Sequence, residues 1–251
     1  GKENRRTCSC LINHKANQTW NKKEVRFGWI DFIDDAEVSD ALIRTVEEWG
    51  KERGMTHIQG PLGFTDFDAE GMLIEGFDQL STMATIYNYP YYPQHLERMG
   101  FEKDADWVEY KIYIPDAIPD KHSASPTYPA QVYLKVKKYT SAKKIAQDYG
   151  QAIFELMNEA YQPLYGYSAL AKAIDQYVKM YLPILDLRMV TLITDADDQL
   201  LAVGISMPSL AEALQKAHGR LLPMGWYHLA KTIFLKKYPK AATIGKKSEW
   251  T

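Results

Sequence analysis

Residues 25–54, VRFGWIDFIDDAEVSDALIRTVEEWGKERG, decide the fold class. The first nine put Val25, Phe27 and Trp29 on one face of a strand and Ile30 and Phe32 on the other. Apolar residues on both faces suit a strand in the middle of a sheet, covered on each side. A helix follows at once. Asp34 or Asp35 supplies its cap, Glu37 stands three residues after Asp34 as in a capping box, and Gly54 ends it. Val38, Ala41, Leu42, Val46 and Trp49 recur at helical spacing and predict one buried stripe.

Working outward, Arg6–Asn13 reads as a neighbouring strand, joined to the first by the polar connection HKANQTWNKKE. Downstream come a short strand, THIQG, and the aperiodic segment 61–83, PLGFTDFDAEGMLIEGFDQLSTM. Then ATIYNYPYYPQHLERMGF runs from a turn into a short helix closed by Gly100, and Trp107–Ile114 alternates as a half-buried strand. Four prolines in residues 115–129 mark a linker. Beyond it, Val132–Tyr139 reads as a strand, and Ser141 caps a helix to about Tyr161 with Ile145, Tyr149, Ala152, Ile153 and Leu156 buried. A second helix spans about 168–181. Met189–Thr194 and Leu200–Ser206 form a hairpin, and two further helices follow, the last over about 226–237. The expected fold is α/β, a mixed β-sheet with flanking helices, arranged as a unit over 1–116, a linker over 117–130 and a second unit over 131–251.

Composition narrows the function classes. Hydrophobic residues at 46% and charged residues at 25% describe a globular chain, and a net charge of −2 argues against nucleic acid as a partner. No apolar run reaches the ~20 residues of a membrane span, and the N-terminus lacks a signal-peptide core, so no membrane partner and a cytoplasmic location are expected. Cys8 and Cys10 read as reduced, packed cysteines. The six histidines show no metal-ligand spacing, so no metal is expected. No Ser-based nucleophile elbow is present, and IGKKS lacks the first glycine of a P-loop.

Three places carry candidate ligand contacts for a small molecule. Asp66, Asp68, Glu70 and Glu75 in the irregular segment would attract an amine or a cation, or else form a solvated turn. Tyr87, Asn88, Tyr91 and Tyr92, with Pro90 fixing the turn, would wall a pocket or pack as a turn between sheet and helix. Asn158 and Tyr161 precede the aromatic turn QPLYGYS and would line a site or cap the helix end.

The run HLERMGFEKDADWVEYKI, together with the strand, helix and strand before it, makes Val25–Ile114 resemble the C-terminal portion of the acetyl-CoA-dependent N-acyltransferase (GNAT) fold. Val132–Met207 resembles the N-terminal portion of a second such fold. The whole is similar to bacterial proteins built from two GNAT-like units, here two partial tandem units. GPLGFTDFDAEGMLIEGFDQ followed by YNYPYYPQHLERMGF is characteristic of that group. The resemblance implies transfer of an acyl group from acetyl-CoA or another acyl-CoA to an amine. The first unit would begin near the fold's third strand, and the second would stop before its own coenzyme site. Two departures define the alternative, a catalytically degenerate module that binds a small molecule or a protein. Where the family places a glycine-rich pyrophosphate turn, this chain has Asp34, Asp35 and Glu37, which repel an anion. Where many members have a proton-donating tyrosine it has Leu96, with Tyr91 and Tyr92 as the nearby substitutes.

Overall fold

In the computed structural model, residues 6–65, 68–82, 85–113, 116–117, 133–164, 166–167, 185–235, 241–244 and 248–250 are described. Asp66, most of the linker and the helix expected at 168–181 lie outside them. The fold is mixed α/β, and the chain divides into two compact units.

The first unit is built on a three-stranded sheet. β2 (Glu24–Phe32) lies between β1 (Arg6–Leu11), which is antiparallel to it, and β3 (His57–Gln59), which is parallel. The middle position explains the apolar residues on both faces of β2: Val25, Phe27 and Phe32 are all buried. The connection from β1 to β2, read only as polar, contains a helix, α1 (His14–Thr19), whose cap is Asn13: its Oδ1 accepts from the Ala16 amide at 3.0 Å. Six residues are too few to show a period, so only the cap residue announced it.

α2 (Ala36–Lys51) packs on this sheet. Of the expected stripe, Val38, Leu42, Val46 and Trp49 pack on the core while Ala41 faces solvent, and the most deeply buried positions are Ser39, Ile43, Val46 and Gly50. Apolar counting finds the stripe but not its deepest positions, because two of these are a serine and a glycine. Gly50 is inward because α2 passes so close to β2 that a Cβ there would come 2.7 Å from Val25 Cγ1. α3 (Tyr91–Arg98) ends on Gly100, at φ +91°, and gives Tyr92 and Leu96 to the same core, with Phe101 packed edge-on to Phe27 at 5.7 Å.

The stretch between α3 and the expected strand at 107–114 is not a turn. It holds β4 (Lys103–Asp106), and the following strand is the shorter β5 (Tyr110–Tyr113). Both find partners far along the chain: β5 is bonded to β9 (Ala241–Ile244), and β4 pairs antiparallel with β10 (Ser248–Trp250). Residues 242–251, which the sequence reading gave to the second unit, therefore belong to the first. β9 also supplies a strand before IGKKS, but β10 follows where a P-loop needs a helix.

The second unit has an antiparallel sheet in the order β6 (Lys135–Lys137), β7 (Val190–Thr194), β8 (Leu200–Ile205). The β7–β8 hairpin turns on Asp195, whose carboxylate accepts from the Asp197 and Gln199 amides at 3.0 and 2.9 Å. α4 (Ala142–Tyr161), capped by Ser141, packs Tyr149 and Ile153 against Val190 and Leu192. β6 is much shorter than the strand expected over 132–139, and its Val136 is exposed. α5 (Ala211–Lys216) and α6 (Gly225–Leu235) complete the described unit and pack on each other.

Candidate functional site

The site grows from an irregularity in β2. Thr7 of β1 faces Asp31, but Ser9 faces Gly28, so β2 carries one extra residue between them. Trp29 sits in that bulge with φ +44° and its side chain 49% exposed. A left-handed backbone at a bulky L-residue costs about 1–2 kcal/mol and persists only where neighbours impose it. Those neighbours are visible. The chain leaving β3 crosses β2 so closely that a Cβ on Gly28 would lie 2.3 Å from Leu62 O, and one on Gly60 would lie 2.4 Å from Phe27 O. The Leu62 amide donates to Phe27 O at 2.7 Å, locking the crossing.

β3 pairs with β2 only along Glu24–Arg26, so the far half of β2 needs other partners on that edge. Two predicted site residues provide them. The Phe32 amide donates to the Tyr92 hydroxyl at 3.1 Å, and the Tyr91 hydroxyl donates to Phe32 O at 2.6 Å. Tyr92 also donates to the Asp31 carboxylate and stacks on Phe32 with centroids 4.3 Å apart. Its side chain is 4% exposed. Burial, and then the bond to Asp31, push the Tyr92 phenol well above its ordinary value. Burial and the charges of Asp31 and Asp34 raise that of half-buried Tyr91. Both hydroxyls are protonated at neutral pH.

Asn88 is a buried peg: its Oδ1 accepts from the Leu73 amide at 2.6 Å and its Nδ2 donates to Leu73 O at 3.1 Å. Tyr87 is exposed and donates to Phe77 O at 2.5 Å. Asp68 folds its carboxylate onto the Thr65 amide at 2.9 Å, and Glu70 is buried. Among the described residues no group of three or more His, Cys, Asp or Glu could hold a metal ion. Asn158 and Tyr161 lie in the last turn of α4, in the second unit, apart in the chain from the tyrosine turn.

A constellation missed in the sequence joins α2 to α3. Ser39 Oγ lies 2.7 Å from His95 Nδ1, and Asp34 Oδ1 lies 2.9 Å from His95 Nε2. Ser, His and Asp in this order suggest nucleophilic catalysis, but Ser39 is fully buried and its hydroxyl also reaches Ala36 O at 3.0 Å. No substrate carbonyl can approach it, so the cluster is a clamp between helices, reinforced by Arg98, which bonds Asp40 at 2.5 Å. Leu96 is fully buried in the core.

The N-terminus of α2 is closed by its own cap. Asp35 Oδ1 accepts from the Glu37 amide at 2.9 Å and the Val38 amide at 3.4 Å, taking the donors that would otherwise face an anion. The opposite side of α3 opens on a cavity of about 580 Å³. Ile74, Phe77 and Phe101 give it an apolar floor, and Glu97 and Glu102 bring carboxylates to it. These two acids flank Gly100–Phe101. Their sign, unlike their placement, was readable from the sequence. Lys103, also on the wall, is held by Asp106 at 2.9 Å.

No known family profile matches the chain. Two curated proteins are similar over most of its length. The bacterial ceramide synthase of Caulobacter vibrioides is 27% identical over 214 residues, covering 84% of this chain and 54% of that protein. Protein YghO of Escherichia coli is 27% identical over 220 residues, again 84% of this chain and 54% of the relative. The chain spans about half the length of the curated relatives it matches.

Proposed function

We propose that the chain is part of an N-acyltransferase of the GNAT type, moving an acyl group from a thioester to the amine of an apolar, long-chain acceptor. The observation that carries this reading is the likeness of 84% of the chain to a ceramide synthase. Ceramide is an N-acylated long-chain amino alcohol, so its synthesis joins an acyl carbonyl to an amine. In that reaction the amine nitrogen bonds to the thioester carbon and gives up a proton, the C–S bond breaks, and the leaving thiolate takes a proton to become a free thiol. The strained bulge at Trp29 supports the far half of β2 as the reacting edge, since bulges and forced backbones gather at such places. Tyr91, half-buried and protonated on that edge, is the proton donor in this reading. The pyrophosphate of coenzyme A does not fit the α2 N-terminus, where Asp35 already holds the amides, so the thioester's carrier is bound without that contact.

The same capped terminus, with Leu96 sealed in the core, favours the second reading, a binding module that has lost the chemistry. One experiment separates them. The protein is incubated with short- and long-chain acyl-CoA and a panel of amines, including long-chain amino alcohols, and amide products are sought by mass spectrometry. The first reading expects an amide whose yield falls at least about tenfold in Tyr91→Phe. No amide from any pair, with an amine still binding in calorimetry, would leave the binding module.

A further inference from the structure

The outward face of α6 and the loop before it is apolar where a solvated helix should be polar. Leu222 is 78% exposed, Trp226 51% and Phe234 80%, and Leu221, Met224 and Tyr227 are exposed beside them. At 100° per residue, Trp226, Tyr227, Lys231 and Phe234 fall within one arc of the helix. The solvent side of α6 is thus aromatic with one lysine at its margin. Single exposed apolar side chains are ordinary, but a contiguous group of this kind marks a surface that meets another phase or molecule.

Charge decides which. From residue 213 to residue 240 the sequence holds Lys216, Arg220, Lys231, Lys236, Lys237 and Lys240 and not one Asp or Glu, although acids outnumber Lys and Arg over the chain, 32 to 30. Lys216 is turned toward Glu212 at 3.7 Å, which still leaves the run strongly positive. Tryptophan and tyrosine beside exposed leucines, in a stretch of sequence whose charges are all lysine and arginine, match the layered chemistry of an anionic bilayer surface: acyl chains within, phosphates above. At 11 residues α6 is too short to span the ~30 Å hydrocarbon core, and among the described residues no helix is long and apolar enough to cross a membrane. The expectation of no membrane partner rested on the absent span and the absent signal-peptide core; a surface contact needs neither.

We infer that the Leu221–Met224 loop and the aromatic face of α6 dock on an anionic lipid surface, with Leu222 and Phe234 entering the headgroup boundary. The inference rests on exposure and charge in the second unit and stands whether or not the first unit transfers acyl groups.

The test is cosedimentation of the full chain with vesicles of phosphatidylcholine, alone or with about one-third phosphatidylglycerol. The chain is expected to pellet with the anionic vesicles at low salt and to be released by high salt. Leu222→Glu and Phe234→Glu, at positions too exposed to disturb packing, should each weaken binding at least about tenfold, and Lys231→Gln should weaken it by a smaller factor. Unchanged circular dichroism shows that the variants keep their fold. The inference fails if the parent chain stays in the supernatant with both vesicle types at low salt, or if the glutamate variants pellet as well as the parent. It also fails if the parent ignores vesicles and Leu222→Glu instead splits a dimer on size exclusion, since the face would then join two copies of the chain.

Discussion

Trp29 and Tyr92 show how single residues hold the candidate site in a shape their types do not prefer. At φ +44° alanine has the same backbone strain as tryptophan, while glycine has little. Trp29→Gly should therefore be more stable than Trp29→Ala by about 1 kcal/mol in urea denaturation, the reverse of the order at an ordinary strand position. Equal stabilities, or alanine ahead, would mean that the bulge relaxes in solution. Tyr92→Phe leaves the Phe32 amide and the Asp31 carboxylate short of a partner in a buried place, and should cost about 1–3 kcal/mol. The pH response has a definite sign. Tyr92 holds its proton in the folded chain far past the usual phenol value of 10.0, so above that pH the unfolded chain loses the proton first. Its contribution is complete below pH ~10 and declines as pH rises beyond. Tyr92→Phe should flatten that alkaline decline in a stability-against-pH series, and an unaltered slope would remove Tyr92 from the account. The sequence revealed that a tyrosine turn existed, but not that one tyrosine would be buried, because burial depends on where β3 stops. His95 was legible only as a polar-contact residue, its partners Ser39 and Asp34 lying 56 and 61 residues away.

Among the elements, β2 and α2 were the most legible, since an apolar strand and a capped amphipathic helix are local patterns. The cap fell between two candidates, and the structure assigns it to Asp35. Asp35→Ala should lower stability by about 0.5–2 kcal/mol, while Asp35→Asn, which can still accept from the Glu37 and Val38 amides, should stay near the parent. Thermal denaturation of the three proteins distinguishes a cap from a charge effect: if Asn falls as far as Ala, the carboxylate acts through its charge and not its hydrogen bonds. The same pair probes the thioester reading. Removing a carboxylate that occupies helix-terminal amides eases the approach of a phosphate, so acetyl-CoA affinity in calorimetry should rise in Asp35→Ala, and a fall would count against a phosphate at this terminus. β4, by contrast, was read as a turn. Its sequence, KDAD, has no alternation and a single apolar residue, and only pairing with a remote strand makes it β.

At the scale of the whole molecule, the strand that makes β4 possible comes from the far end of the chain. β10 pairs Ser248 with Asp106 and Glu249 with Ala105, more than 140 residues away in sequence, across the entire second unit. No window of sequence reaches that far, so a linear reading gave the tail to the late unit. The long return has a mechanical consequence. The amides of Lys103–Asp106 depend for their bonds on a segment whose closure includes every residue of the second unit, and such pairings form late and open early. A chain ending at residue 240 should exchange backbone hydrogens in β4 at least about tenfold faster than the full chain, with the β7–β8 hairpin unchanged, because that hairpin's bonds lie within the second unit. Mass spectrometry of the 103–106 and 190–205 peptides reads both arms at once. Equal protection of β4 in the two chains would show that β10 is not its partner in solution.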